Sequence, residues 1–252
     1  MTEREIRIDT ADGSMRAYVA HPDEGGPFPL VVMLMDAPGY RAPLQAALCR
    51  YASAGYFGVL PDLYYRDGDL SFDPAKLAEG PEGEEMKRMF QTMSHLSDEM
   101  AMSDVRAIID FAESEDAART PAGCVGYCMG GRLVLRAMAA FPDVFAAGSS
   151  IHPARVVTDE PDSPHLDIAK IRGELYFGCG ENDGFTTPEI RATLQETADA
   201  AGVRCEIDVF ADAQHGFAVA GGRNYLREAS ERHFERTLEV FRRNLSESAV
   251  TA

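Results

Sequence analysis

Residues Ala122–Leu133 read AGCVGYCMGGRL. A short apolar run, Cys124–Tyr127, passes directly into Gly126-Tyr127-Cys128-Met129-Gly130-Gly131, and a mostly apolar helical pattern over Met129–Phe141 starts at once. Strand, tight turn and helix around Gly-x-Cys-x-Gly form a nucleophile elbow, with Cys128 where a serine usually stands. The spacing has a mechanical cause. The turn holds the nucleophile in a strained backbone conformation, and side chains two positions away on either side would collide across it, so Gly126 and Gly130 carry none. The helix N-terminus that follows points unpaired N–H groups and the positive end of its dipole at the sulfur, which favours thiolate. Taken alone, the stretch has a plainer reading: Cys128 as a small apolar filler, and the glycines as close packing of a helix on a strand.

Outward from the elbow, segments of two kinds alternate. Strand-like runs are Glu5–Thr10, Met15–Ala20, Leu30–Met35, Tyr56–Leu60, Cys124–Tyr127, Phe145–Ser150, Glu174–Gly178 and Cys205–Phe210. Several are continuous Val/Leu/Phe-type stretches, as expected of strands buried on both faces of a parallel sheet. The first two alternate polar and apolar residues and meet at Ala11-Asp12-Gly13-Ser14, which predicts an antiparallel hairpin at a sheet edge. Helical patterns lie between: Pro43–Ala54, one long stretch over Glu84–Phe111, Met129–Phe141, Pro188–Ala201 and Tyr225–Asn244, the last with Phe234, Leu238 and Phe241 on its inner face. The alternation predicts an α/β fold, doubly wound, with a mostly parallel eight-stranded sheet flanked by helices. One domain over residues 1–252 is expected. The acidic segment Asp67–Glu85 (DGDLSFDPAKLAEGPEGEE) is read as a surface excursion or lid within it, and residues 245–252 as a frayed tail.

Composition removes whole classes of function. The 252 residues carry 41 Asp+Glu against 24 Lys+Arg, a formal charge of -17, which disfavours nucleic-acid binding and docking on anionic membranes. No apolar run approaches the roughly 18–20 residues that cross a bilayer, and MTEREIRIDT has no signal-peptide character. Five cysteines (Cys49, Cys124, Cys128, Cys179, Cys205) form neither a CxxC pair nor a zinc-finger spacing, so a reduced, cytoplasmic setting is expected, without metal. GYCMGGR lacks both the Lys-Ser/Thr ending of a phosphate loop and the GxGxxG spacing of dinucleotide folds. No motif specifies an oligomeric state.

The elbow needs partners, and two candidates follow it in the order nucleophile, acid, histidine. In Glu174–Pro188 (ELYFGCGENDGFTTP) a buried strand runs into a Gly-rich turn holding Asp183 and then a helix start. An acid there lies at the carboxyl edge of the sheet, as the elbow does, although Asp183 also suits a plain turn or helix cap. After Cys205–Phe210 comes the polar loop ADAQHG with His215. His21, His95, His165 and His233 have neighbours typical of solvated surface. His152 also follows a strand and is the rival base, but it precedes Asp183, which breaks the order.

GYCMGG, GENDGFTTP and QHGF, with LPDLYYR at Leu60–Arg66 after the fourth strand, resemble the dienelactone hydrolase family of α/β-hydrolases over nearly the whole chain. The resemblance implies a Cys128–His215–Asp183 triad in a single cytoplasmic domain without cofactor, acting on small esters or lactones through a thioester. In such a mechanism the oxyanion is held by the backbone N–H of Met129, next to the nucleophile, and by that of Ala37 in the loop after the third strand. The family often has a glutamate at the place of Asp36, where it gates the thiol. Asp36 is one methylene shorter and equally suits a solvated loop carboxylate or a cap for the Pro43 helix. Tyr64, Tyr65, Arg66 and His152 follow strands at the same edge and are candidate pocket residues or packing.

Family members that act on carboxylated lactones carry an arginine shortly after the histidine and another on the helix before the elbow. Val219 follows HGFA here, Arg223 is the nearest downstream cation, and Lys87 or Arg88 are the candidates for the second. These departures and the charge of -17 tilt the expectation toward neutral substrates. Two other outcomes of the same thiol stay open: acyl transfer to an acceptor other than water, and a thiol-sensing or ligand-binding protein on a hydrolase scaffold.

Overall fold

The computed structural model describes residues 1–246. Eight strands form one sheet in the order β1-β2-β4-β3-β5-β6-β7-β8: β1 Thr2–Thr10, β2 Gly13–His21, β3 Phe28–Leu34, β4 Phe57–Pro61, β5 Ala118–Tyr127, β6 Phe145–Ile151, β7 Glu174–Gly180 and β8 Cys205–Phe210. The alternating N-terminal runs make the antiparallel hairpin β1–β2, which joins β4 antiparallel, and every pairing from β4 to β8 is parallel. Every residue of β4 and of β7 is buried, as continuous apolar runs require when helices cover both faces of the sheet.

The helices are α1 Ala42–Ser53, α2 Pro74–Leu77, α3 Glu84–His95, α4 Asp98–Glu113, α5 Met129–Ala140, α6 Pro188–Ala201 and α7 Arg227–Leu245. The long pattern over Glu84–Phe111 is therefore two helices. Leu96 is extended, and Ser97 caps the second helix by accepting the Met100 N–H at 3.2 Å. The cap satisfies an otherwise unpaired donor at the start of α4, while the apolar period on either side hides the break. On α7 the buried stripe contains Ser230, His233, Thr237, Leu238 and Phe241, so His233 faces the core rather than solvent. Its ring packs edge-on against Tyr127 at 5.8 Å and near Phe217 at 6.1 Å.

Between β4 and α3 the acidic excursion is mostly exposed and is strapped to α3. Arg88 donates to the Ser71 carbonyl at 2.6 Å, and the Asp73 N–H donates to Glu85 at 2.7 Å. Leu245, expected in the frayed tail, is instead the buried last residue of α7; residues 247–252 lie outside the described residues. Among the described residues no helix is long and apolar enough to cross a membrane.

Parallel pairing puts the carboxyl ends of β3 to β8 along one edge of the sheet. Asp36, Tyr64, Cys128, His152, Asp183 and His215 all follow those ends, at the edge where open α/β sheets place their sites.

Candidate active site

Cys128 caps α5 with φ 54° and ψ -114°, a backbone region that non-glycine residues seldom occupy. Its surroundings over-determine that conformation. The Cys128 N–H donates to the Ile151 carbonyl at 3.1 Å, and the Cys128 carbonyl accepts from Gly131 at 3.0 Å and Ala154 at 3.1 Å. A Cβ on Gly126 would lie 2.1 Å from the Gly130 carbonyl oxygen, and one on Gly130 would lie 2.2 Å from that of Leu34. The two glycines thus let the elbow close on itself and on β3. The Ser150 hydroxyl ties it further to β6 by donating to the Gly131 carbonyl at 2.8 Å. Cys128 itself stays half-buried.

Asp183 and His215 come from the loops after β7 and β8, which are knitted together. The Asn182 N–H donates to the Ala213 carbonyl at 2.9 Å, and a Cβ on Gly180 would lie 2.6 Å from that same oxygen. Asp183 accepts the Phe185 N–H at 2.9 Å on Oδ1 and His215 Nδ1–H at 3.0 Å on Oδ2. Asn224 anchors the His215 carbonyl at 2.9 Å. With Nδ1 taken by Asp183, Nε2 is the ring nitrogen left for another partner. Burial disfavours the imidazolium, but the hydrogen bond to Asp183 and the neighbouring Cys128 outweigh it and hold His215 up at about 10. His215 is therefore a proton-bearing group at neutral pH, held on a buried carboxylate.

Around this core the other candidates divide. The Asp36-Ala37-Pro38-Gly39 loop after β3 is closed by the Gly39 N–H donating to the Asp36 carbonyl at 2.9 Å. Among the described residues, neither the Ala37 nor the Met129 N–H donates to a protein acceptor. Asp36 is buried in a two-pronged ion pair with Arg41, one prong at 2.7 Å. Tyr64 is buried with its hydroxyl on the Ala37 carbonyl. Tyr65 and Arg66 are engaged elsewhere: Tyr65 bonds Thr10 at 2.6 Å and Asp104 at 3.1 Å, and Arg66 grips both Asp104 oxygens at 2.8 Å and reaches Asp12. Lys87 and Arg88 pair with Glu84 and Glu85 on their own helix, and Arg223 is exposed.

His152 is buried, with φ 38° and its ring 5.1 Å edge-on from His215. Desolvation, then the nearby His215 and His233, push it well below the ordinary histidine value, so it packs as a neutral ring. Neither of its ring nitrogens has a protein partner, whereas His215 is the histidine that Asp183 holds.

Sequence reasoning missed Arg41 and Phe185. Phe185 stands 46% exposed with its ring 4.9 Å from His215, an apolar wall beside the imidazole, and its position two residues after Asp183 was the available signal. Arg41 has no such signal; its pairing with Asp36 depends on how the loop folds back at Gly39.

The sequence profile of the dienelactone hydrolase family matches residues 15–245. A Methylorubrum extorquens protein provisionally named a carboxymethylenebutenolidase is 30% identical over 245 residues, covering 94% of this chain and 80% of that protein. An Escherichia coli K12 protein with the same provisional name is 26% identical, covering 93% and 84%. Among solved structures, a provisionally assigned dienelactone hydrolase from Klebsiella pneumoniae superposes with a TM-score of 0.83 at 22% identity, covering 95% of this chain and 98% of that one; that likeness is one of fold.

Proposed function

The chain belongs to the dienelactone hydrolase family, and from that premise we propose that it hydrolyses small neutral esters or lactones through a thioester on Cys128, with His215 and Asp183 completing the triad. The observation that carries this reading is the His215–Asp183 pair at 3.0 Å, with Cys128 near enough to raise the same imidazole.

The proposed steps use these groups in turn. The Cys128 thiolate, paired with the His215 imidazolium, attacks the ester carbonyl. Negative charge moves to the carbonyl oxygen, where the N–H groups of Met129 and Ala37 receive it. As the tetrahedral intermediate collapses, the C–O bond breaks and His215 passes its proton to the departing alkoxide. Neutral His215 then takes a proton from water, hydroxide adds to the thioester carbonyl, and the carboxylic acid leaves as the thiolate re-forms with its imidazolium. Asp183 holds the ring so that Nε2 faces the sulfur throughout.

The preference for uncharged substrates rests on what surrounds the triad. Val219 stands where an arginine would receive a carboxylate, Arg41 is committed to Asp36, and Phe185 offers an apolar wall. The two relatives' names specify a carboxylated lactone, so substrate charge is where this chain is expected to differ from them. Five free thiols accord with a reducing, cytoplasmic setting.

Turnover of a p-nitrophenyl ester, a neutral enol-lactone and a carboxylated enol-lactone by wild type, Cys128→Ala and His215→Ala tests the proposal. Wild type turns over the neutral substrates with the higher kcat/KM, and both variants fall to background. Wild-type rates no higher than those of Cys128→Ala on all three substrates would end the hydrolase mechanism and favour a thiol sensor.

A further inference from the structure

The two N–H groups assigned to the oxyanion belong to different elements, Ala37 in the loop after β3 and Met129 at the start of α5. A hole built from two elements works only if their separation is held, because donors must sit about 2.7–3.1 Å from the oxygen that develops charge. Among the described residues one side chain reaches both: the Tyr64 hydroxyl donates to the Ala37 carbonyl at 3.0 Å, and its oxygen is in contact with Sδ of Met129 at 3.6 Å.

Tyr64 is itself fixed. Its N–H donates to Asp62 Oδ1 at 3.2 Å, Asp62 is held by Arg16 at 2.8 Å, and the Tyr64 carbonyl accepts from Asp67 at 2.8 Å. Its ring fills the space over Gly39, where a Cβ would lie 3.1 Å from it. Phe72 of the acidic excursion packs edge-on at 6.5 Å.

The geometry points to Tyr64 as a positioning residue that sets the separation of the Ala37 and Met129 N–H groups and so the strength of the oxyanion hole. This rests on the thiol mechanism proposed above. Burial, then the charges of Asp36 and Cys128, push the Tyr64 phenol upward, so it keeps the proton it donates to Ala37 across the working pH range. The fixed carbonyl holds the Ala37 backbone, and the sulfur contact holds the first turn of α5 against the same phenol. Tyr64 touches neither substrate nor the reacting sulfur of Cys128 in this role.

Tyr64→Phe removes one oxygen and keeps the ring over Gly39. Misplacing a donor by a fraction of an ångström costs part of the roughly 100- to 1000-fold that a whole oxyanion donor contributes, so kcat is expected to fall about 10-fold or more with KM changed less than about 3-fold. Inhibition by a trifluoromethyl ketone, whose thiol adduct carries an oxyanion, weakens in parallel. Alkylation of Cys128 by iodoacetamide forms no oxyanion and stays within about 2-fold of wild type, which also reports that the elbow is folded. A kcat within about 2-fold of wild type overturns the assignment, as does an alkylation rate that falls as steeply as kcat, the mark of a merely structural role. Cys128→Ala, run alongside, separates the two levels: wild-type turnover in that variant would sink the thiol mechanism, and this proposal with it, whatever Tyr64→Phe does.

Discussion

Nδ1 of His215 lies 3.0 Å from Oδ2 of Asp183, and that side chain of Asp183 has no solvent exposure at all. A buried carboxylate held this way keeps the Nδ1 proton toward Asp183 and, in the proposed mechanism, leaves Nε2 for the elbow. Replacing it by asparagine keeps the volume and removes the charge. Asp183→Asn should lower kcat/KM roughly 100-fold or more with the fold intact, measured on any ester the wild type accepts.

The raised His215 value carries a pH prediction with a definite sign. The group gains its proton partner in the folded state, so its contribution to stability is fully present below about 6.5, the ordinary histidine value, and is lost as pH rises through about 10. In the proposed mechanism the same proton serves the leaving alkoxide, so kcat/KM should fall on an alkaline limb near pH 10. In Asp183→Asn the limb should move to lower pH; a limb that stays in place would mean that Asp183 does not hold the proton on His215.

His233 gives the opposite sign. Burial, then Arg50, depress it to about 3, so the folded protein keeps it neutral while the unfolded chain protonates it below about 6.5. Stability therefore drops as pH falls from 6.5 toward 3, by about 2 kcal/mol at pH 5 from this residue alone. Urea midpoints of wild type and His233→Phe at pH 7 and pH 5 check it: the wild type loses more on acidification than the variant.

The elbow should tolerate no side chain at its glycines. With a Cβ on Gly126 placed 2.1 Å from a backbone oxygen, no rotamer change relieves the clash, and Gly126→Ala should cost more than about 3 kcal/mol or fail to accumulate as folded protein. Alanine at Gly184, where a Cβ meets nothing within 4 Å, is the control and should melt close to wild type.

Much of this was legible from the chain because the elbow imposes local requirements. Gly126, Cys128 and Gly130 are dictated within a single turn, Asp183 follows the fully buried β7 and His215 follows the edge strand β8, so position along the sheet edge could be counted from the sequence. The strands and Pro188–Ala201 were readable for the same reason, since apolar runs and a Thr-Pro helix start are local signals. What escaped depends on three-dimensional closure. The apolar period runs through Leu96 and Ser97, so the break between α3 and α4 is visible only in the backbone. His233 sits among Arg and Glu on α7, and nothing local tells that Tyr127 and Phe217 meet it there. Tyr64, Tyr65 and Arg66 are consecutive, yet only the way the chain turns after β4 sends the first toward Ala37 and the other two toward Asp104.

Asp36 illustrates the same point for charge. The sequence offers a loop carboxylate with no partner in view, whereas the folded loop gives it Arg41 in a largely buried pair. Arg41→Ala should cost about 2–3 kcal/mol by leaving that carboxylate unpaired, and Asp36→Asn in the same background should recover most of it. Thermal melts of the single and double variants decide it; equal losses in both would mean that Arg41 acts through packing instead.

The central claim is that the acyl group passes through the sulfur of Cys128. Rapid acid quench during turnover of a slow ester, followed by peptide mass spectrometry, reads it directly. The account predicts an acyl adduct on the peptide containing Cys128, labile to hydroxylamine and formed at least as fast as product. Steady product formation with that peptide unmodified throughout would contradict it.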